Sequence, residues 1–212
     1  MSKLDHQVFS DFDSAAHEVL AFLHQRFGFD LWMITRREGE NWIVLQANDQ
    51  GYGVQEGAVF QWASSFCSQM VLGNGPCIAP QSHTIPAYAN APIGKEIAIG
   101  AYVGVPLVYD NGALFGTLCG IHPTSQPEAL TAELSLIELL AKFLSSLLNA
   151  ELKSSEQARC VEQARVEALS DPLSGLHNTQ SLEQRCLDSG LRLLPDSQGR
   201  LCPRCSACRR RF

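Results

Sequence analysis

The amino-acid sequence predicts an α+β domain, in which a central antiparallel sheet is flanked by helices and followed by a long C-terminal helix. Apolar residues recur every three or four positions from Ser10 to Phe27, which is typical of an amphipathic helix. Asn111-Gly112, a strong hairpin signal, separates two strand-like runs. Residues 130–170 contain neither glycine nor proline and are rich in leucine, glutamate and alanine, which indicates one long helix.

The first half of the chain adds two strands to this outline. Gly28 is placed to end the first helix. The runs Phe29–Arg37 and Asn41–Ala47 predict a strand pair around a turn at residues 38–40, because both are rich in β-branched and aromatic residues. The glycine-containing stretch Asn48–Gly57 predicts a loop.

The middle of the chain predicts a second helix and a covering loop. Phe60–Leu72 has helical spacing of its apolar residues, and Cys77–Pro80 is long enough for one edge strand. Ser82–Lys95 contains prolines and predicts an irregular loop with one helical turn. Gly100–Asp110 and Ala113–His122 predict the two strands of the hairpin.

The long exit helix leaves two interpretations open. From Thr131 to Ser170 it would extend about 60 Å at about 1.5 Å per residue, which exceeds the diameter of a small domain. It is either one helix packed on the body and followed by a solvated linker, or a parallel coiled coil that joins two subunits. The second interpretation predicts a homodimer through the exit helix.

Composition limits the class of protein. The chain has 212 residues, of which 45% are apolar and 18% charged, so it is globular. Residues 1–150 hold 14 acidic against 6 basic residues, which argues against a nucleic-acid partner. No apolar run is long enough to span a membrane, and the N-terminus lacks a signal-peptide pattern, so we expect no membrane association and a cytoplasmic location.

The predicted element order places the first and last helices together on one face of the sheet. The middle helix and the long loop then cover the other face, and such a lid makes a natural small-molecule cavity. The candidate cavity residues come from this cover and from the two central strands: Phe66, Cys67, His83, Tyr88, Tyr102, Thr117 and Cys119. The alternative is that each of these side chains only fills the core.

Several stretches resemble the GAF domain family over residues 10 to 150. They are W-A-S-S-F-C-S-Q-M-V, G-N-G-P, I-A-P, P-A-Y-A-N-A-P-I-G, G-A-Y-V-G-V-P-L and L-F-G-T-L-C-G, found in this order from Trp62 to Gly120. The resemblance implies a sensory or regulatory domain at 1–150 that binds a small ligand or transmits a rearrangement in a dimer. It names no ligand or cofactor, because function depends on the site rather than on the fold.

Cysteine chemistry offers an alternative function. Some GAF-like proteins reduce free methionine sulfoxide with a set of cysteines, and Cys67, Cys77 and Cys119 are available for such a redox enzyme. Other GAF-type domains attach a tetrapyrrole through a cysteine that histidine follows. Gly120 follows Cys119 here, which argues against that attachment. The sequence contains no H-E-x-x-H zinc motif, and we expect no metal site.

After a linker helix at 151–170, the stretch A-L-S-D-P-L-S-G-L-H-N (Ala168–Asn178) resembles the opening of a GGDEF, or diguanylate cyclase, domain. Thr179 and Gln180 depart from the two arginines of that pattern. No G-G-D/E-E-F run follows, so we predict no cyclase activity and read 171–212 as a truncated GGDEF start. The resemblance implies a role in cyclic-di-GMP signalling.

The C-terminal tail is rich in arginine and cysteine, and we expect it to be disordered. One hypothesis is that it stems from a different reading frame or a degenerate gene end. The alternative is a zinc site, in which Cys186 would complete the three thiolates of Cys202, Cys205 and Cys208.

Overall fold

A computed structural model describes residues 11–169, 193–195 and 201–203 of the chain. The chain divides into two compact units, Met1–Leu152 and Lys153–Phe212. Within the described residues, no helix is both long enough and apolar enough to span a membrane.

The first unit is built on a six-stranded sheet with the order β3-β2-β1-β6-β5-β4. All neighbouring strands in it pair in the antiparallel sense. The strands are β1 Leu31–Glu38, β2 Asn41–Asp49, β3 Val59–Gln61, β4 Ile78–Ala79, β5 Ala101–Val108 and β6 Leu114–His122. The predicted α+β class and antiparallel sheet are therefore confirmed.

Two helices cover one face of this sheet. They are α1, Phe12–Phe27, and the part of α5 that belongs to the first unit; α5 as a whole spans Leu134–Leu169 and is exposed over residues 151–165. The backbone N–H of Phe12 donates to Glu151, and Arg26 bonds Glu133 at 2.8 Å, so α1 and the first half of α5 run antiparallel to each other. The core on this face is formed by both helices and by alternate residues of the strands, including Trp32, Ile34 and Val103.

The local sequence explains how α1 begins and ends. The Asp11 side chain accepts a hydrogen bond from the backbone N–H of Ser14 and so caps the first turn. Gly28 adopts the left-handed conformation with φ 67° and donates its N–H to the carbonyl of His24. The predicted end of the helix at Gly28 is confirmed.

Short elements cover the other face. They are α2 Phe66–Val71, α3 Pro86–Ala89 and α4 Ile93–Glu96, with 3₁₀ turns at Trp62–Ser64 and Ser82–Thr84. A second buried core lies beneath them and includes Leu31, Met33 and Tyr102 from the strands. The predicted arrangement of a lid opposite the terminal helices agrees with this architecture.

Two sequence predictions for this cover are wrong. Phe60–Leu72 is not one helix, because residues 59–61 pair with β2 as an edge strand and α2 begins only after Ser65. The Ser65 hydroxyl accepts the N–H of Ser68 and sets that start. The stretch 82–95 holds a 3₁₀ turn and two helices of one turn each, rather than one helical turn in an irregular loop.

The structure describes nearly all of the exit helix but only two short strands of the C-terminal tail. Helix α5 begins at Leu134, three residues after the predicted start at Thr131, because Glu128–Glu133 forms a 3₁₀ helix, and it is described as far as Leu169. In the tail, β7 Leu193–Pro195 and β8 Leu201–Pro203 pair antiparallel, where the sequence predicted no ordered structure. The GGDEF-like residues 171–178 and Cys186, Cys205 and Cys208 lie outside the described residues, as does the side chain of Cys202.

Candidate functional site

A cavity of about 220 Å³ lies between the sheet and its cover on the face opposite α1 and α5. Its floor is formed by buried side chains of three strands: Leu31, Met33, Trp42, Cys119 and Ile121. Phe66, Cys67 and Tyr102 form one wall. The lining is mostly apolar, which is the usual character of a small-molecule site.

Three aromatic rings are packed together at this wall. The rings of Phe66 and Tyr88 stack with centroids 4.8 Å apart, and both meet Tyr102 edge to face at 5.6 Å and 5.0 Å. Tyr88 donates its hydroxyl to the carbonyl of Pro76, which holds its ring behind the cavity wall. These contacts fix the orientation of the rings that line the cavity.

The polar side-chain groups beside the aromatic wall are the thiols of Cys67 and Cys119 and the hydroxyl of Tyr102. The Tyr102 hydroxyl donates to the Cys67 sulfur at 3.3 Å, and the Thr117 hydroxyl lies 3.9 Å from the Cys119 sulfur. Burial raises the pKa of Cys67, but hydrogen bonds from Cys119, Thr117 and Tyr102 outweigh burial and hold that pKa below its usual value. Burial and the neighbouring Cys67 raise the pKa of Cys119 well above the ordinary thiol value.

A buried hydrogen-bond network supports the floor from the side of β1. The Thr35 and Thr117 hydroxyls are 2.8 Å apart, and the indole N–H of Trp42 donates to the Thr35 hydroxyl at 2.7 Å. All three side chains are buried, and the bonds satisfy their polar atoms. The network fixes the Trp42 ring that lines the cavity.

The rim of the cavity is formed by two loops. Tyr52 and Val54 line it from the loop after β2, and Ile97 and Ile99 line it from the segment before β5; all four are partly exposed. The Tyr52 hydroxyl donates to the carbonyl of Ala98 at 2.7 Å and thereby joins the two loops. Burial, together with the nearby charges of Asp30 and Asp49, raises the pKa of Tyr52 to about 12, so its hydroxyl remains a donor at neutral pH.

Asp49 fixes the loop that carries Tyr52. Its carboxylate accepts backbone N–H groups from Gly51 at 2.9 Å and Tyr52 at 2.8 Å, and also from Val54. Burial raises the pKa of Asp49, but these backbone hydrogen bonds together lower it below its ordinary value. The rim therefore depends on an ionised carboxylate.

The structure brings most of the predicted site residues together. Phe66, Cys67, Tyr102 and Cys119 line the cavity, Tyr88 packs behind its wall, and Thr117 is buried next to Cys119. It does not bring His83 there, because that side chain is exposed on the 3₁₀ turn Ser82–Thr84. Cys77 also lies outside the cavity lining, although the sequence grouped it with Cys67 and Cys119.

Sequence reasoning missed much of the lining. Leu31 and Met33 could have been predicted from the sequence, because side chains alternate between the two faces along β1 and these two share one face. Tyr52, Ile97 and Ile99 carry no such signal, since they lie in loops whose course is set by tertiary contacts. Among the residues that the structure describes, no cluster of three or more His, Cys, Asp or Glu side chains is placed to hold a metal ion.

Comparison with known proteins identifies the family. The GAF domain model matches residues 11–148, which is more than half of the chain, and the chain therefore belongs to the GAF family. It thus carries the kind of domain found in sensory and signalling proteins. The resemblance of residues 10 to 150 to this family is confirmed. No curated protein matches the chain.

Solved structures support the fold. The GAF domain of the Thermosynechococcus elongatus PixJ protein, in its blue-light absorbing form, is 12% identical with a TM-score of 0.56, over 72% of this chain and 93% of that one. The GAF domain of an Acinetobacter phosphoenolpyruvate-protein phosphotransferase is 16% identical with a TM-score of 0.53, over 70% and 87%. GAF-B of Mycobacterium smegmatis DevS is 13% identical with a TM-score of 0.51, over 70% and 99%. At these identities the likeness establishes the fold alone.

Proposed function

We propose that this chain is a sensory module whose cavity binds a small, flat, mostly apolar ligand. The observation that carries the proposal is the cavity of about 220 Å³ between the sheet and its lid. Its walls offer the faces and edges of Phe66 and Tyr102 for stacking and a few polar atoms for orientation. The volume is below the range of about 300–1,000 Å³ typical of drug-sized ligands, so the ligand is smaller than these.

Native mass spectrometry of the full chain purified from its own host tests this proposal. We expect a retained small molecule at one copy per chain, and a ligand-free spectrum under non-denaturing conditions contradicts the proposal. Ala58→Phe, which fills the cavity, should abolish retention, because Ala58 lines it. Ala89→Phe is the matched control, since Ala89 is exposed on α3 outside the lining.

We infer that the module works as a homodimer through α1 and α5. Leu139, Phe143 and Leu147 recur every four residues on α5 and are 49%, 61% and 37% exposed. They lie on a different side of the helix from the buried Ile137, Ala141, Leu144 and Leu148. Phe22 on the adjacent α1 is also 46% exposed. An exposed apolar stripe of this kind is stabilised by burial against a second copy of itself.

We also propose that the module belongs to diguanylate-cyclase-type signalling in the cytoplasm. Support comes from the stretch A-L-S-D-P-L-S-G-L-H-N, which begins at the end of α5. The 212 residues contain no G-G-D/E-E-F run, and we expect the purified chain to form no cyclic-di-GMP from GTP. Chromatography of the nucleotides after incubation with Mg²⁺ and GTP measures this, and cyclic-di-GMP above a protein-free blank contradicts it.

A further inference from the structure

Two cysteines from different elements line the same cavity. Cys67 lies in the first turn of α2, and Cys119 lies near the middle of β6, 52 positions later in the chain. Both are unpaired thiols, and each is about 1% exposed. Each sulfur is contacted by a hydroxyl, that of Tyr102 at 3.3 Å for Cys67 and that of Thr117 at 3.9 Å for Cys119.

The two thiols are chemically different. Burial works against ionisation of both thiols, but hydrogen bonds from Cys119, Thr117 and Tyr102 more than offset it at Cys67 and lower its pKa. Burial, together with the hydrogen bond to Cys67, raises the pKa of Cys119 well above the ordinary value. A thiolate is the nucleophile in cysteine chemistry, and the Tyr102 hydroxyl that donates to the Cys67 sulfur at 3.3 Å stabilises a thiolate there, so Cys67 is the attacking group and Cys119 is the thiol beside it.

We propose that Cys67 and Cys119 form an oxidant-sensitive pair, which a hydroperoxide that enters the cavity converts to a disulfide. The Cys67 thiolate attacks the peroxide O–O bond, which breaks to give a Cys67 sulfenic acid and an alcohol or water after proton uptake. The Cys119 sulfur then attacks the Cys67 sulfur, the S–S bond forms and water leaves with the thiol proton. Two thiols are oxidised by two electrons, and one hydroperoxide is reduced.

Cys77 does not belong to the pair. It lies outside the cavity lining and is only half buried. Burial, followed by the charge of Glu138, raises the pKa of Cys77, which lowers its thiolate fraction at neutral pH. Cys77 therefore serves as an internal control for the oxidation of the two cavity thiols.

A disulfide between these residues would tie α2, part of the lid, to β6, part of the floor. This goes beyond the proposed ligand binding, because it makes the state of the cavity depend on oxidants without any resident ligand. It also rests only on the cavity and its side chains, so a ligand-free native spectrum would leave it intact.

Treatment of the full chain with hydrogen peroxide, followed by alkylation and peptide mapping, tests the proposal. Mapping is needed because the chain has eight cysteines. We expect a Cys67–Cys119 cross-link in the wild type and in Cys77→Ser. In Cys119→Ser we expect a sulfenic acid on Cys67 that dimedone traps. The proposal fails if both thiols stay reduced while the exposed Cys160 is oxidised, or if Cys67 pairs with another cysteine.

Tyrosine variants keep the test decisive if the serine variants unfold. Tyr102→Phe removes one hydrogen bond to the Cys67 sulfur and should raise the midpoint pH of Cys67 oxidation by about one unit. Tyr88→Phe is the matched control, because its hydroxyl bonds the carbonyl of Pro76 and not a sulfur, and it should leave the midpoint unchanged. Equal midpoints in both variants contradict the assigned role of Cys67.

Discussion

At the scale of single residues, the cavity wall requires a glycine where the Tyr102 ring crosses the backbone of β5. A Cβ atom on Gly104 would lie 1.9 Å from the Tyr102 hydroxyl oxygen and 2.4 Å from the ring carbon that bears it. No pair of non-bonded atoms tolerates such a distance. Gly104 therefore allows the Tyr102 hydroxyl to reach the Cys67 sulfur.

Gly104→Ala should lower the free energy of unfolding by about 1–3 kcal/mol, because the ring must leave its packed position. Chemical denaturation followed by circular dichroism measures this. Gly51→Ala is the control, since its new Cβ would meet only the Asp30 side chain, at an ordinary 3.5 Å. Combining Gly104→Ala with Tyr102→Leu should cost less than the sum of the two single changes, and strict additivity would contradict the clash.

A second residue-scale prediction concerns Asp49. Its folded-state pKa is lower than its unfolded-state value of about 3.8, so its contribution to stability is complete above that pH and is lost as the pH falls through the folded-state pKa. Asp49→Asn should remove this part of the acid dependence and destabilise the protein at pH 7. Glu56→Gln, on the same loop and exposed, is the control. Thermal melts from pH 7 to pH 2 compare them, and parallel pH profiles for wild type and Asp49→Asn contradict the prediction.

At the scale of elements, the two rim loops are joined by one hydrogen bond. The Tyr52 hydroxyl donates to the Ala98 carbonyl at 2.7 Å, and residues of both loops line the cavity rim. Loss of a single bond of this kind lowers the free energy of opening by about 0.5–1.5 kcal/mol. The rim is thus the part of the cavity that a single substitution can loosen without altering the floor.

Tyr52→Phe should increase the rate at which a small methanethiosulfonate reagent labels Cys67 and Cys119 by about threefold to tenfold. The exposed Cys160 provides an internal standard, since its labelling does not depend on the rim. Tyr109→Phe is the matched control, because Tyr109 packs against the core on the opposite face of the sheet. Unchanged labelling of the cavity thiols in Tyr52→Phe would show that entry does not pass this rim.

Elements with local signals were predictable, and those set by tertiary contacts were not. The cap and the left-handed Gly28 determine α1, and Asn111-Gly112 determines the turn between β5 and β6. By contrast, the pairing of Trp42 with Phe60 makes residues 59–61 a strand despite their helical spacing. In the site, strand and helix residues such as Cys119 and Phe66 were found, whereas His83 was misplaced because the orientation of its short turn depends on packing.

At the scale of the whole molecule, the exposed stripe on α5 predicts the oligomeric state. Phe143→Glu should convert the proposed dimer to a monomer or weaken it at least tenfold, because Phe143 is 61% exposed and the change places a charge in the centre of the proposed apolar interface. Leu72→Glu is the matched control, since Leu72 is 69% exposed but lies at the end of α2, on the lid face. Sedimentation velocity over a range of concentrations measures both, and a wild type that stays monomeric at high concentration contradicts the inference.

Strand β1 contributes side chains to both cores of the domain. Its residues alternate, so Leu31 and Met33 belong to the cavity floor while Trp32 and Ile34, their immediate neighbours, support the terminal helices. Consecutive side chains share one backbone in a closely packed interior. A bound ligand that displaced Met33 would therefore also displace Trp32 and Ile34, on which α1 and α5 pack. If the cavity binds the proposed ligand, the eight residues of β1 would therefore couple it to the terminal helices without a hinge.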